Sequence, residues 1–139
     1  MSPRAGWRGY NFSRPIGGQA IPQRVQNLVI RNYCENMELE YLLSATEYSM
    51  PNAYMILHSL YAELKSIGGV VLYSVHMLPE KKADREAFYE KVLSSGAGIR
   101  FALEELSILS REDIAAIEEL ALCKELIASV SIDEAIFKG

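Results

Sequence analysis

The chain has little cysteine, little histidine and no long hydrophobic run. Its two cysteines, Cys34 and Cys123, lie far apart and lack metal-ligand spacing, which excludes a disulfide framework and gives a metal site no support. Both fall in predicted helices, so we expect two buried free thiols. The apolar runs are too short to span a bilayer, and the first residues lack the apolar segment of a secretory signal. These absences predict a cytoplasmic protein.

The chain also lacks an excess of positive charge. Lys and Arg number 14 against 18 Asp and Glu, which leaves a net charge of −4. A chain of this sign has no electrostatic footprint for nucleic acid or for an anionic membrane, so we expect neither as a partner. A local basic patch stays open as an alternative; its members would be Arg4, Arg8, Arg14, Arg24 and Arg31.

Strand and helix patterns alternate along the 139 residues, half of which are hydrophobic. The patterns predict strands at 9–12, 39–45, 70–75 and 99–103, and helices that begin near Pro22, Asn52 and Asp84. The first helix would bury Val25, Leu28, Val29 and Tyr33. A capping box formed by Ser110 and Asp113 opens a long C-terminal helix at 110–130.

Single helices between strands imply parallel pairing with right-handed crossovers. The sequence therefore predicts one three-layer α/β domain at 9–130, with a four-stranded, mainly parallel sheet that resembles flavodoxin-like folds. A flexible arm at 1–8 and a tail at 131–139 would flank this domain.

Polar side chains follow the predicted strands at their carboxyl ends, where open α/β sheets bind ligands. The polar turn after the first strand runs into a helix N-terminus, whose N–H groups attract an anion. A plain turn explains Ser13 and the two adjacent glycines equally well. The predicted ligand-binding residues are Ser13, Arg14, Gly17, Gly18, Gln19, Arg24, Tyr48 and Ser74.

Four residues at the same edge are candidates for catalysis. Glu104 ends a buried strand, where partial desolvation favours general acid–base use, and His76 could shuttle a proton. Glu47 and Ser13 complete the predicted catalytic set. The alternatives are a surface ion pair for Glu104, an exposed loop position for Glu47 and a hydrogen-bonded loop position for His76. No cofactor motif is present, so we expect no cofactor, and the sequence identifies no reaction.

Four segments carry a resemblance to a known family. They are Arg-Gly-Tyr-Asn-Phe-Ser-Arg-Pro-Ile-Gly-Gly-Gln-Ala-Ile-Pro-Gln-Arg at 8–24, Ser-Ala-Thr-Glu-Tyr at 44–48, the segment 70–79 ending Tyr-Ser-Val-His-Met-Leu-Pro, and Phe-Ala-Leu-Glu at 101–104. Together they resemble the bacterial sporadic carbohydrate-cluster proteins. The resemblance implies a role in surface-polysaccharide (O-antigen or capsule) biosynthesis, with a small anionic ligand such as a nucleotide sugar or sugar phosphate. The alternative is a non-catalytic accessory or scaffold subunit of a carbohydrate-biosynthesis assembly. Separately, the amphipathic pattern of the C-terminal helix indicates a homo-oligomer through that helix.

A second, more distant resemblance is to the catalytic domain of serine recombinases (resolvases and invertases). Gly9-Tyr10, Ser13, Gln19 and Gln23 fall in similar places, and the strand–helix order agrees. The arginine of that pattern between tyrosine and serine is absent, and its Asp-Arg-Leu-x-Arg stretch is replaced by Val-His-Met-Leu-Pro-Glu at 75–80. The resemblance implies a shared resolvase-like fold and, as a third alternative, a degenerate DNA binder without strand exchange.

Overall fold

A computed structural model describes residues 6–50 and 53–121. Eight strands and helices follow one another in it, and residues 114–121 form a further helix, which we call α4. In chain order the eight are β1 Trp7–Phe12, α1 Gln23–Asn36, β2 Tyr41–Glu47, α2 Met55–Leu60, β3 Gly69–Leu72, α3 Lys82–Ser94, β4 Gly98–Phe101 and β5 Leu106–Ile108. Short 3-10 turns lie at Tyr61–Glu63, Val75–Met77 and Arg111–Asp113.

The sheet has five strands in the order β2-β1-β3-β4-β5. The first four strands are parallel, and β5 is antiparallel to β4. Every residue of β3 is buried, as expected for a central strand covered on both faces. The predicted α/β class and mainly parallel sheet are confirmed. None of the described helices is long and apolar enough to cross a membrane.

The predicted number of strands was wrong, because β5 was missed. This strand has three residues of mixed polarity and follows two glutamates, so it lacks both alternation and length. A tight turn at 102–105 makes it possible, and Glu105 in that turn has a φ of 55°, in the left-handed region. Such a conformation is uncommon for a residue other than glycine and gives no sequence signal here.

Several predicted boundaries also differ from the structure. β1 begins at Trp7, inside the predicted arm, and β3 ends at Leu72 because the chain turns into a 3-10 segment at Val75. α3 begins at Lys82 rather than after Asp84. The capping box of Ser110 and Asp113 is confirmed. The predicted cap Asn52, Cys123, arm residues 1–5, the helix beyond 121 and the tail lie outside the described residues.

The pairing of β1 with β2 contains a β-bulge. Arg8 pairs with Leu42, but Tyr10 pairs with Ala45, so two residues of β2 face Gly9. A Cβ atom on residue 9 would collide with the Ser44 hydroxyl, which explains the glycine. Leu43 is pushed outward and is 79% exposed, and its carbonyl accepts a hydrogen bond of 2.9 Å from Arg8.

A carboxylate joins α3 to α4. Glu118 accepts hydrogen bonds of 2.9 Å from Arg85 Nε and 2.8 Å from the Tyr89 hydroxyl. Burial acts to raise the pKa of Glu118, but the hydrogen bonds from Arg85 and Tyr89 prevail and hold it below the ordinary 4.5. A depressed folded-state pKa means that this carboxylate stabilises the fold above its ordinary pKa and loses that effect as the pH falls through the folded value.

Replacing Glu118 with Gln is therefore expected to destabilise the protein in a pH-dependent way. At pH 7 we expect a loss of about 1–2 kcal/mol in the free energy of unfolding, measured by urea denaturation. The difference from wild type should shrink as the pH falls below 4.5, because the wild-type carboxylate then becomes protonated. Glu119→Gln, at the exposed neighbouring position, is the control. A loss that is constant with pH would contradict the ion-pair role.

Candidate functional site

A cleft opens at the carboxyl end of β1, where the chain passes into α1. β1 and β3 are neighbours in the sheet, and the crossover connections that leave them run in opposite directions, to β2 and to β4. Open α/β sheets bind ligands at such a point. The cleft has a volume of about 320 Å³ and is lined by Phe12, Ser13, Arg14, Pro15, Ala20, Ile21, Pro22 and Gln23. Its position agrees with the edge predicted from the sequence.

The N-terminus of α1 forms one side of this cleft. The helix has 14 residues, no side chain caps its first turn, and that turn contains no acidic residue. The first intrahelical hydrogen bonds run from the amides of Val25 and Gln26 to Pro22 O. The amides of Gln23 and Arg24 precede them, and Arg24 is exposed. Unpaired N–H groups and the positive end of the helix dipole make this a favourable place for an anion.

Gln26 fixes the end of β1, and the sequence analysis missed it. Its side chain is fully buried, donates to Phe12 O at 2.9 Å and to Ile21 O at 2.8 Å, and accepts from Phe12 N at 2.8 Å. The pairing of β1 with β3 ends at Tyr10, so Gln26 replaces the missing strand partner of Phe12. The amide thereby holds both walls of the cleft together.

The buried face of α1 differs from the predicted one. It consists of Gln26, Ile30, Tyr33 and Cys34, whereas Val25 is 38% exposed and Leu28 is 60% exposed. The spacing i, i+4, i+7 from Gln26 through Ile30 to Tyr33 is typical of one buried helix face. It is a weak indication in the sequence because its first residue, Gln26, is polar.

Ser13 and Arg14 lie beside the end of β2. Ser13 is exposed, and its hydroxyl donates to Glu47 O at 2.8 Å. Arg14 Nη1 donates to the carbonyls of Tyr48, Met50 and Ala53 at 3.1, 3.0 and 2.9 Å. Its guanidinium lies 4.0 Å from the centre of the Phe12 ring and 5.0 Å from that of Tyr54. Arg14 therefore lines the cleft and also fixes the β2–α2 loop.

Glu47 is fully buried. Its Oε1 accepts from the Tyr10 hydroxyl at 2.6 Å and from Leu57 N at 3.0 Å, and its Oε2 accepts from Ile56 N at 2.9 Å. Burial first, and the hydrogen bond to Glu47 second, raise the pKa of Tyr10 far above its ordinary value. The carboxylate satisfies the first amides of α2 and does not face the cleft. We therefore treat Glu47 as a positioning residue.

Glu104, Ser74 and His76 form a second group at the end of β3. Ser74 is buried and donates to Glu104 Oε2 at 2.7 Å, while Val75 N donates to Glu104 Oε1 at 3.1 Å. His76 is exposed, and its amide donates to the Ser74 hydroxyl at 3.2 Å. Ser74 and Glu104 thus close the 3-10 turn that carries His76.

The two adjacent glycines form a hairpin turn next to His76. Ile16 and Gln19 exchange backbone hydrogen bonds of 2.8 and 3.0 Å across Gly17 and Gly18. Both glycines have positive φ, 57° and 83°, as a two-residue hairpin turn of this type requires. A Cβ atom on Gly17 would lie 3.4 Å from His76 Cγ. The structure therefore brings the glycine turn and His76 together, and Ser13, Arg14 and Tyr48 together on the other side of β1.

Most arginines of the described ranges have partners away from Ser13. Arg8 pairs with Glu63, Arg111 with Glu90, and Arg100 donates to the Tyr33 hydroxyl and lies over the Trp7 ring. Within residues 6–50 and 53–121, no arginine donates a hydrogen bond to Ser13, and no three His, Cys, Asp or Glu side chains are grouped to hold a metal ion.

No protein-family model matches the chain, and no curated protein does. Solved structures do match. The chain is similar to the N-terminal catalytic domain of TP901-1 integrase, with a TM-score of 0.60, 15% identity and coverage of 88% of this chain and 98% of that one. It is also similar to a resolvase family site-specific recombinase from Streptococcus pneumoniae, with a TM-score of 0.60, 10% identity and coverage of 95% and 97%. At these identities the likeness shows the fold, which is resolvase-like, as the second resemblance predicted.

These comparisons correct two expectations. The prediction of polysaccharide biosynthesis with a sugar-derived ligand was wrong, because the similar structures are an integrase and a recombinase, and the carbohydrate-cluster resemblance has no support. The exclusion of nucleic acid was wrong for the same reason. A net charge is a sum over the whole chain and does not describe one surface: Arg24 and Arg31 both lie exposed on α1.

Proposed function

We propose that this chain is a DNA-binding domain of resolvase-like fold that holds a backbone phosphate in the cleft at the end of β1. The observation that carries the proposal is the uncapped N-terminus of α1, whose first residue Gln23 lines this cleft and is followed by the exposed Arg24. The similarity to an integrase catalytic domain and a site-specific recombinase supports DNA as the source of the phosphate.

The cleft supplies the donors that a phosphate needs. The amides of Gln23 and Arg24 precede the hydrogen-bonded part of α1, and the exposed side chain of Arg24 adds a positive charge to the same helical turn. Charge-assisted hydrogen bonds from these groups to phosphate oxygens are stronger than neutral ones. Gln26 keeps Phe12 and Ile21 in place, so the donors are held in position before the ligand arrives.

The same geometry favours binding over strand cleavage. A serine nucleophile needs a base for its proton and cations around the phosphate that it attacks. The hydroxyl of Ser13 donates to a backbone carbonyl, which does not accept a proton, and the neighbouring Arg14 already binds three loop carbonyls. We therefore propose recognition of DNA without strand exchange.

Replacing Arg24 with Gln is expected to weaken binding to a duplex about 3- to 10-fold at low salt, since one phosphate contact is lost. The slope of log affinity against log salt should fall by about 1. Fluorescence anisotropy of a labelled duplex measures both. Lys65→Gln is the matched control: it removes the same charge from an exposed position that precedes the amino end of β3, at the opposite edge of the sheet.

Two results would contradict the proposal. One is equal loss of affinity in Arg24→Gln and Lys65→Gln, which would indicate that only the net charge matters. The other is the absence of salt-dependent binding of the wild-type chain to any DNA.

A further inference from the structure

Three large exposed side chains lie at the end of β2 and the start of α2, where the cleft residue Arg14 binds backbone carbonyls. Tyr48 is 53% exposed, Met50 68% and Met55 67%. Tyr48 directly follows Glu47, whose carbonyl accepts the hydrogen bond from the Ser13 hydroxyl. Within the described part of the chain, no aromatic ring stacks on Tyr48 and no cation lies over it. About half of Tyr48 is therefore accessible to a ligand at the end of β2.

The backbone that carries Tyr48 is held firmly. Arg14 Nη1 donates to the carbonyls of Tyr48 and Met50, and the guanidinium lies against the rings of Phe12 and Tyr54. Arg14 also lines the cleft, so one side chain holds both the cleft and the segment that carries Tyr48. A ring on a fixed backbone binds a flat partner at a lower cost in conformational entropy than a ring on a loose loop.

We propose that Tyr48 stacks on an unpaired DNA base, so that the protein prefers single-stranded DNA to a duplex. This rests on the proposed function, because the base is the neighbour of the phosphate held at α1. Bases in a duplex are stacked on one another, whereas a single strand offers free base faces to an aromatic side chain. The polarizable thioethers of Met50 and Met55 suit the edges of such a flat ligand.

The small number of free positive charges near the cleft favours the same ligand. A duplex carries one phosphate charge per about 1.7 Å of its axis, twice the density of a single strand. Arg14 lines the cleft but already donates to three loop carbonyls, and Arg24 is the one arginine in the first turn of α1, so this site gains little from that higher density. Stacking supplies affinity that does not depend on positive charge.

The test compares a labelled single strand of about 12 nucleotides with the corresponding duplex, by anisotropy on the full chain. Tyr48→Ala is expected to weaken single-strand binding about 5- to 100-fold, while Tyr48→Phe retains it because the ring is kept. Duplex binding should be unchanged in both variants. Leu109→Ala, 52% exposed and away from this edge, is the control for loss of exposed apolar surface. Because Tyr48 is half-exposed, the thermal stability of all variants should match that of wild type.

Each outcome separates the two proposals. Equal binding of single strand and duplex, or unchanged binding in Tyr48→Ala while Arg24→Gln still weakens it, overturns the stacking inference and leaves the proposed function standing. The same loss in Tyr48→Phe as in Tyr48→Ala also overturns stacking, since the ring is then not what matters. Absence of binding to either DNA overturns both.

Discussion

Replacing Glu47 with Ala is expected to lower the free energy of unfolding by about 3–5 kcal/mol, a large part of the stability of a small domain. The variant leaves the Tyr10 hydroxyl and the amides of Ile56 and Leu57 buried or half-buried without their shared acceptor. Each such group costs free energy because it gives up water without a replacement partner. Urea denaturation followed by the fluorescence of Trp7, the one tryptophan of the chain, measures the loss.

Two further variants divide this effect. Tyr10→Phe removes one donor only and should cost about 1–2 kcal/mol. Glu47→Gln keeps the shape of the side chain but places an amide N–H group among donors. Its loss of stability should therefore lie between those of Tyr10→Phe and Glu47→Ala. Glu112→Ala, at an exposed position, controls for the loss of a negative charge. If Glu47→Ala cost no more than Tyr10→Phe, the carboxylate would not be the cap of α2 that the geometry indicates.

Replacing Gln26 with Leu is expected to cost about 2–4 kcal/mol of stability and to abolish the shape of the cleft. Leucine has a similar volume, but it leaves Phe12 N, Phe12 O and Ile21 O without their hydrogen bonds. The end of β1 then has no partner on the β3 side, so Phe12 and Ile21, which line the cleft, lose their fixed positions. We expect weaker DNA binding at temperatures where the variant is still folded, measured by the same anisotropy assay.

The matched control for Gln26 lies on the same helix. Gln23→Leu makes the same chemical change at an exposed position, so its stability should remain within about 0.5 kcal/mol of wild type. Gln26→Glu tests the two donated hydrogen bonds alone. It keeps the acceptor for Phe12 N but places an oxygen against the carbonyls of Phe12 and Ile21. Equal stability of Gln26→Leu and Gln23→Leu would contradict the anchoring role.

The features that were predicted correctly are those that short stretches of sequence determine. Alternation of strands and helices, the polar turn at the end of β1 and the capping box of Ser110 and Asp113 are all local patterns. They place a cleft at the end of β1 without knowledge of the remaining structure. The fold class and the edge of the sheet that carries the cleft could therefore be predicted.

What the sequence did not predict depends on contacts between distant residues. Gln26 was overlooked because its partner Phe12 lies 14 positions away, and a glutamine on a buried helix face resembles an interruption of the apolar pattern. The role of Arg14 depends on carbonyls 34–39 positions further on, which no side-chain pattern reveals. Glu47 was predicted to transfer protons, but its three donors come from β1 and α2.

The bulge opposite Gly9 has a consequence for the protein in concentrated solution. β2 is an edge strand of the sheet that residues 6–50 and 53–121 form, and a straight edge offers unpaired backbone groups to another copy of the chain. The bulge at Leu43 and Ser44 interrupts that row of backbone groups, and the guanidinium of Arg8 donates a hydrogen bond to the Leu43 carbonyl. We therefore expect the bulge to disfavour edge-to-edge pairing, and deletion of Leu43, which would restore a regular edge, to increase aggregation as measured by light scattering.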